Sequence, residues 1–268
     1  MIPGEGDLIS VLLEELPLSR PTHPGTSCEM ALSLSPTHGF PIDDQPHPWN
    51  VPRTFAPLAD ADEIFLESCT ASLVNSPHRI LAMHKPPGGW CAAGMEALGR
   101  IALRALEQHQ ALVRFHLRAT PLELLAPCVL PSLGLLELVR LDVLAGTGTN
   151  ALMAKMGSSD NEQIIEECCS GISKAGLGRV ARLVLVLGLP GESAAAALQT
   201  VQFAFRLMLT DGIKAVRFEW WSNPDFGERE SVRVSELDRN NIRETILFVR
   251  LLHTDLEIIG PDDLPPPY

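Results

Sequence analysis

The chain has 268 residues, 46% of them hydrophobic, enough to bury a sizeable core in one large domain or two small ones. Its formal net charge of −12 argues against a nucleic-acid backbone or an anionic membrane surface as the main partner, and no block of basic residues offsets it. No apolar run approaches the ~18 residues that span a bilayer, and the opening MIPGEGDLISVLLEELP is acidic where a secretory signal is basic, so a cytoplasmic protein is expected. The cysteines Cys28, Cys69, Cys91, Cys128, Cys168 and Cys169 show no CxxC or CxxxC spacing and read as buried or incidental thiols.

In chain order, residues 7–17 (DLISVLLEELP) predict a short amphipathic helix that Asp7 caps and Pro17 stops. Residues 18–59 are rich in Pro, Ser, Thr and His and read as a connector, a loop or wrapping segment that is either partly disordered or lies over another surface, not as a packed element. From residue 60 a rhythm begins. Strand-like runs fall at 63–68 (EIFLES), 79–84 (RILAMH), 111–117 (ALVRFHL), 136–144 (LELVRLDVL), 180–189 (VARLVLVLGL) and 213–221 (IKAVRFEWW). Helical periods lie at 94–109, 121–130, 150–156, 161–175 and 193–209, with a last helix at 235–253 and a short final strand in LEIIG, 256–260. The tail, 261–268, reads as exposed.

Strand–helix alternation predicts an α/β fold of about six parallel strands joined by right-handed crossovers, either a partial (β/α) TIM-like barrel or a doubly wound sheet. Both place ligands at the C-terminal ends of the strands. The candidate site is therefore the rim of strand-end loops. Arg118 follows the third run. AGTGTNA follows the fourth and fits G-x-G-x-x-A with Gly146, Gly148 and Ala151, flanked by Thr147. The second strand ending in an acid that a dinucleotide site needs is missing, because that position falls in a helix near Glu166 and Glu167. The turn reads instead as a glycine-eased entry to a helix, whose free N–H groups can hold an anion.

GLPGES follows the fifth run. Gly188, Pro190 and Gly191 build a tight turn, and Glu192 and Ser193 open the next helix at its positive end. Glu192, Glu219 and Asp225 are carboxylates at strand ends. Trp220 and Trp221 are adjacent in a strand, so one packs inward and the other faces the rim. Trp221, together with Trp90 in KPPGGWCAAG, is the expected protein contact.

The order of these motifs resembles the second half of radical S-adenosylmethionine enzymes, particularly those that carry an N-terminal cobalamin-binding domain. That family runs a GVESG-like turn, a helix with L..M.KG, a helix ending in AG and a strand ending in GLPGE. Here the series reads DVLAGT, ALMAKMGSS, EQIIEECCSGISKAGL and LVLVLGLPGES. The opening PGEGDLISVLLEEL looks like the segment that closes the cobalamin domain, which implies that the chain starts where that domain ends. By the resemblance, residues 60–260 form the barrel.

The same resemblance implies a four-iron four-sulfur cluster held by CxxxCxxC in the loop after the first barrel strand. With EIFLES as that strand, Cys69 takes the first ligand position and Leu73 and Ser76 the others. Only residues 69–78 separate it from the next run, too few for a cluster loop and a helix. The acid of the GVESG turn maps to Leu144. The expectation is a degenerate member without radical chemistry or a cluster, acting as a binding or partner subunit, in a homo-oligomer or with an active radical S-adenosylmethionine enzyme. S-adenosylmethionine is the one cofactor kept in view. Two alternatives stand beside it. One is an active enzyme with another metal or cluster site built from Cys69, His78, His84, Cys91 or His116, none in a recognised metal spacing. The other is a barrel that binds an anionic small molecule through Arg118, the turn over 146–149 and the helix opened by Ser193.

Overall fold

The structure, a computed structural model, describes residues 30–32, 70, 80–83, 86, 90–155, 158–189, 191–221 and 234–263. Seven strands form one sheet in sequence order, every neighbouring pair parallel. They are β1 (Met30–Leu32), β2 (Ile80–Met83), β3 (Arg114–Ala119), β4 (Leu138–Gly146), β5 (Ala181–Leu187), β6 (Ala215–Trp220) and β7 (Glu257–Ile259). The helices are α1 (Ala92–His109), α2 (Pro121–Leu124), α3 (Val129–Leu133), α4 (Asn150–Lys155), α5 (Glu162–Lys174), α6 (Ala194–Thr210) and α7 (Glu236–Leu252). A sheet in strict sequence order has no point where the strand order reverses. That distinguishes the partial barrel from the doubly wound alternative.

The period of two decides the two faces of the sheet. Phe115 and Leu117, Leu141 and Val143, Leu183 and Leu185, and Val216 and Phe218 alternate onto one face and join the helices in a single core. His116 and Arg118, Arg140 and Asp142, Arg182, and Arg217 and Glu219 take the other face. The sheet curls around that second face. Arg140 on β4 donates to both carboxylate oxygens of Glu257 on β7, at 3.0 and 3.2 Å, although β5 and β6 lie between those strands in the sheet. A flat sheet puts β4 and β7 about 14 Å apart, since neighbouring strands lie ~4.8 Å apart.

The helices α2, α5, α6 and α7 begin where side chains satisfy their first N–H groups. Asn161, Ser193 and Ser235 accept from Ile164, Ala196 and Asp238, and Thr120 and Glu123 form a reciprocal capping box. None of the described helices is long and apolar enough to cross a membrane.

Three sequence expectations change. The connector at 18–59 contributes a strand, because Met30–Leu32 pairs with Ile80–Met83 as β1. Three residues of parallel ladder are too short to leave a periodicity in the sequence. The helix expected over 121–130 is two short helices. Cys128 stands between them at φ 65°, in the left-handed region, and that breaks the helical run. The fourth strand extends to Gly146, so Ala145 and Gly146 belong to β4 and not to the loop after it. The helix at 7–17, the run at 63–68 and the end of the tail lie outside the described residues.

Candidate functional site

The β5 turn is built around a carboxylate. Gly188 and Gly191 both sit at φ +76°, which favours glycine. Glu192 folds back over the turn. Its Oε2 accepts from the N–H of Gly188 and from that of Leu189, the latter at 3.1 Å. The residue is 1% exposed, and its Oε1 is buried with no hydrogen-bond partner among the described residues. Burial pushes the Glu192 carboxyl up to about 7, against the lowering effect of the two N–H donors. The sequence places Glu192 as a charge at the helix start. In the structure it closes the turn, and Ser193 caps α6. Beside it Leu152, Val186 and Leu189 form a small buried apolar group against which Trp221 packs. Pro190 lies outside the described residues.

The turn after β4 is a packing joint. Gly146 sits at φ +72°. The Thr147 N–H donates to the Ala145 carbonyl at 2.9 Å, and the Gly148 N–H donates to Thr200 Oγ1 on α6 at 3.1 Å. The hydroxyls of Thr147 and Thr200 lie 3.1 Å apart. A Cβ on Gly148 would stand 2.8 Å from Thr200 Cα and 2.9 Å from Phe203 Cδ1. Gly148 therefore lets α6 approach the end of β4, and the N–H groups of Thr147 and Gly148 are already used within the protein.

Deeper on the concave face, one carboxylate gathers two arginines and a histidine. Asp142 lies beside Arg118 and Arg182 in the registers β3–β4 and β4–β5. Arg182 donates through Nε to Oδ1 at 2.8 Å and through Nη2 to Oδ2 at 2.9 Å. His116 Nε2 lies 2.9 Å from Oδ2, and Arg118 Nε 3.4 Å from it. Asp142, His116 and Arg182 are buried, and Arg118 is partly exposed. Burial opposes the Asp142 charge, but the hydrogen bonds and charges of His116 and Arg182 prevail and hold its carboxyl well below the usual carboxylate range. Sequence reading missed Asp142 and Arg182. The available signal was a charged residue in the middle of each apolar strand run, on the face that alternation assigns to the concave side.

The remaining candidates are dispersed. Trp90 is 7% exposed and belongs to the core. The partner contact expected of it is corrected, because a buried indole offers no surface. Trp220 packs against the core on the α7 side, with Arg239 and Arg243 over its ring, whereas Trp221 takes the rim side. Glu219 pairs with Arg217 at 2.9 Å. Cys91 and Cys128 are exposed, and Cys168 and Cys169 are buried on α5, where burial pushes the Cys169 thiol up to about 12. Cys69, His78, His84 and Asp225 lie outside the described residues. Among the described residues no group of three His, Cys, Asp or Glu is placed to hold a metal ion.

No protein-family model matches the chain, and no curated protein sequence does. Solved structures do resemble it. The anSMEcpe structure with bound AdoMet and the Cp18Cys peptide overlays with a TM-score of 0.53 at 11% identity, covering 74% of this chain and 55% of that one. Coproporphyrinogen III oxidase (HemN) from Escherichia coli, a radical SAM enzyme, overlays at 0.50 with 14% identity, covering 70% of this chain and 45% of that one. The radical S-adenosylmethionine methyltransferase TsrM from Kitasatospora setae, solved with cobalamin and a [4Fe-4S] cluster, overlays more loosely at 0.41 over 59% of this chain. The first two likenesses show the fold: a parallel α/β sheet of the TIM-like kind found in radical SAM enzymes. The chain spans about half the length of each of those two.

Proposed function

We propose that the chain is a radical-SAM-like barrel that has lost its cluster and serves as a binding or partner subunit without radical chemistry. One observation carries the reading. By the resemblance, the cluster loop follows the first strand of the barrel, and the first described strand of this sheet is β1, paired directly with β2. From the end of β1 at Leu32 to the start of β2 at Ile80 the sequence holds a single cysteine, Cys69. A cluster that leaves one iron open for a cofactor needs three thiolates, because soft sulfur ligands match iron–sulfur clusters. The residues present do not fit it. Cys91, Cys128, Cys168 and Cys169 lie on or beside the helices and form no described ligand group.

A second departure supports the same reading. β4 places Leu144 on the concave face, in line with Asp142. That is where the resemblance implies a cofactor-contacting acid. A leucine offers no hydrogen bond to a ribose or an amino group. Meanwhile the glycine turns that shape the rim, at Gly146 and Gly188, keep their positive φ. The scaffold persists where two of the reactive groups have gone. The alternative metal centre gains no support from His116, whose Nε2 faces Asp142.

The test is anaerobic iron–sulfur reconstitution, read by visible absorbance and iron content, with S-adenosylmethionine titrated into the same sample by calorimetry. We expect no stoichiometric iron. S-adenosylmethionine binding without a cluster would identify a retained pocket, and no binding of either would leave the partner role. A stable four-iron cluster overturns the proposal.

A further inference from the structure

We propose that the outer face of α7 is the contact through which two copies of this chain pair about a two-fold axis. The helix is apolar on two sides. Ile242 and Ile246 are buried and Val249 packs against the core. At 100° per residue, Leu247, Phe248 and Leu251 point away from that seam and Leu252 lies to its side. They are 52%, 61%, 69% and 61% exposed. A surface helix is normally polar on its outer side. The first turns of α7 largely obey this with Asn240, Asn241 and Glu244, and carry one exposed apolar residue, Leu237. The last two turns depart from it with four.

The four residues form two adjacent i, i+4 rows, 247–251 and 248–252, which is the ridge that interdigitates when two helices cross. Together they present on the order of 400–500 Å² of surface, at the upper end of the largest apolar patch on an ordinary monomer. Two such patches related by symmetry total about 1,000 Å², the lower bound for a specific interface and above the ~800 Å² of most incidental contacts. A two-fold pairing needs only this one patch, because the same surface serves both copies. The described cavities lie elsewhere, between α1 and α3 and between α4 and α6, so the patch is a convex ridge that fits another helix better than a small ligand. The patch also ends a few residues before β7, beyond which no described strand continues the sheet. Open edges of this kind are normally covered.

The pairing does not depend on the absence of a cluster. The full chain is examined by size exclusion with light scattering at micromolar concentration. The expected result is twice the chain mass of 29.2 kDa. Phe248→Lys combined with Leu251→Asp is expected to give the single-chain mass with unchanged circular dichroism, since both side chains are largely exposed. Leu106→Glu with Leu135→Glu, which alters the other exposed apolar surface, is expected to leave the dimer intact. A wild-type protein with the single-chain mass overturns the proposal. So does a dimer that survives the α7 substitutions or is lost through the α1–α3 pair.

Discussion

Asp142 illustrates how far one side chain can organise the interior. It accepts two hydrogen bonds from Arg182, and it also pairs with His116 and Arg118. Removing one member of a buried pair leaves an uncompensated charge, at a cost of about 3–5 kcal/mol. Asp142→Asn is therefore expected to lower Tm strongly. Asp142→Leu with Arg182→Met, which removes both charges and keeps the volume, is expected to recover most of the loss. Thermal melts of the two variants check this, and a double variant as unstable as the single one would assign the cost to packing instead.

Glu192 behaves in the opposite way, because its buried carboxyl has N–H donors on one oxygen and no described cation paired with it. Its pKa is raised from an ordinary 4.5 to about 7. The folded protein then holds the proton more tightly than the unfolded chain, so the contribution of Glu192 to stability is fully present below pH 4.5 and is lost as pH rises towards 7. The full effect is on the order of 3 kcal/mol. Asp160, raised to about 6 by burial and by nearby Glu123, tilts the profile the same way over a narrower range. Asp142, with its lowered pKa, acts only in acid, where stability falls as its carboxylate protonates. The measurement is denaturant stability from pH 5 to 8. The expected outcome is a decline that Glu192→Gln flattens, since a neutral amide still accepts both N–H groups without titrating.

At the scale of elements, the joint between β4 and α6 depends on a missing side chain and a shared hydroxyl. Gly148→Ala places a methyl group 2.8 Å from Thr200 Cα, against backbone that cannot swing aside. Overpacking of this kind costs about 1–3 kcal/mol. Thr200→Val keeps the shape but leaves the buried Gly148 N–H without its acceptor, also about 1–3 kcal/mol. Both variants are expected to lower the urea midpoint without changing the m-value, the sign of a local packing loss. The same joint explains why a glycine pattern resembling a dinucleotide fingerprint holds no nucleotide signature. Its glycine serves helix–strand approach, and the N–H groups of Thr147 and Gly148 are spent within the protein.

Helices and strands differed in how legible they were. Long helices with side-chain caps appeared close to their predicted bounds, because Asn161, Ser193 and Ser235 mark their own first turns. The short helices over 121–133 did not appear as predicted, because a left-handed Cys128 interrupts an otherwise continuous apolar run. β1 was invisible for a related reason. Three residues take their strand conformation from the neighbour they pair with, not from their own pattern.

For the whole molecule, the curl of the sheet is held partly by Arg140 reaching across to Glu257. Glu257 is partly exposed, so the pair is worth about 1 kcal/mol or less, and salt screens it. Glu257→Gln is expected to cost little Tm at high salt and more at low salt. An equal loss at both would mean that packing, not charge, joins those strands.

The sequence by itself determined the parallel strand–helix order, because the two periods and the caps are local. It also determined that the six cysteines show no CxxC or CxxxC spacing, because spacing is read directly along the chain. The order of the rim motifs was likewise legible, because each motif is a short contiguous stretch, and that order carries the resemblance to radical SAM enzymes. Only the tertiary structure decided what those residues do. It turned Glu192 from a helix-start charge into the closure of its own turn, and it buried Trp90. It also brought Asp142, His116, Arg118 and Arg182 together from three strands. These outcomes depend on register and on the curl of the sheet, which place residues far apart in the chain within hydrogen-bonding distance and which no local pattern encodes.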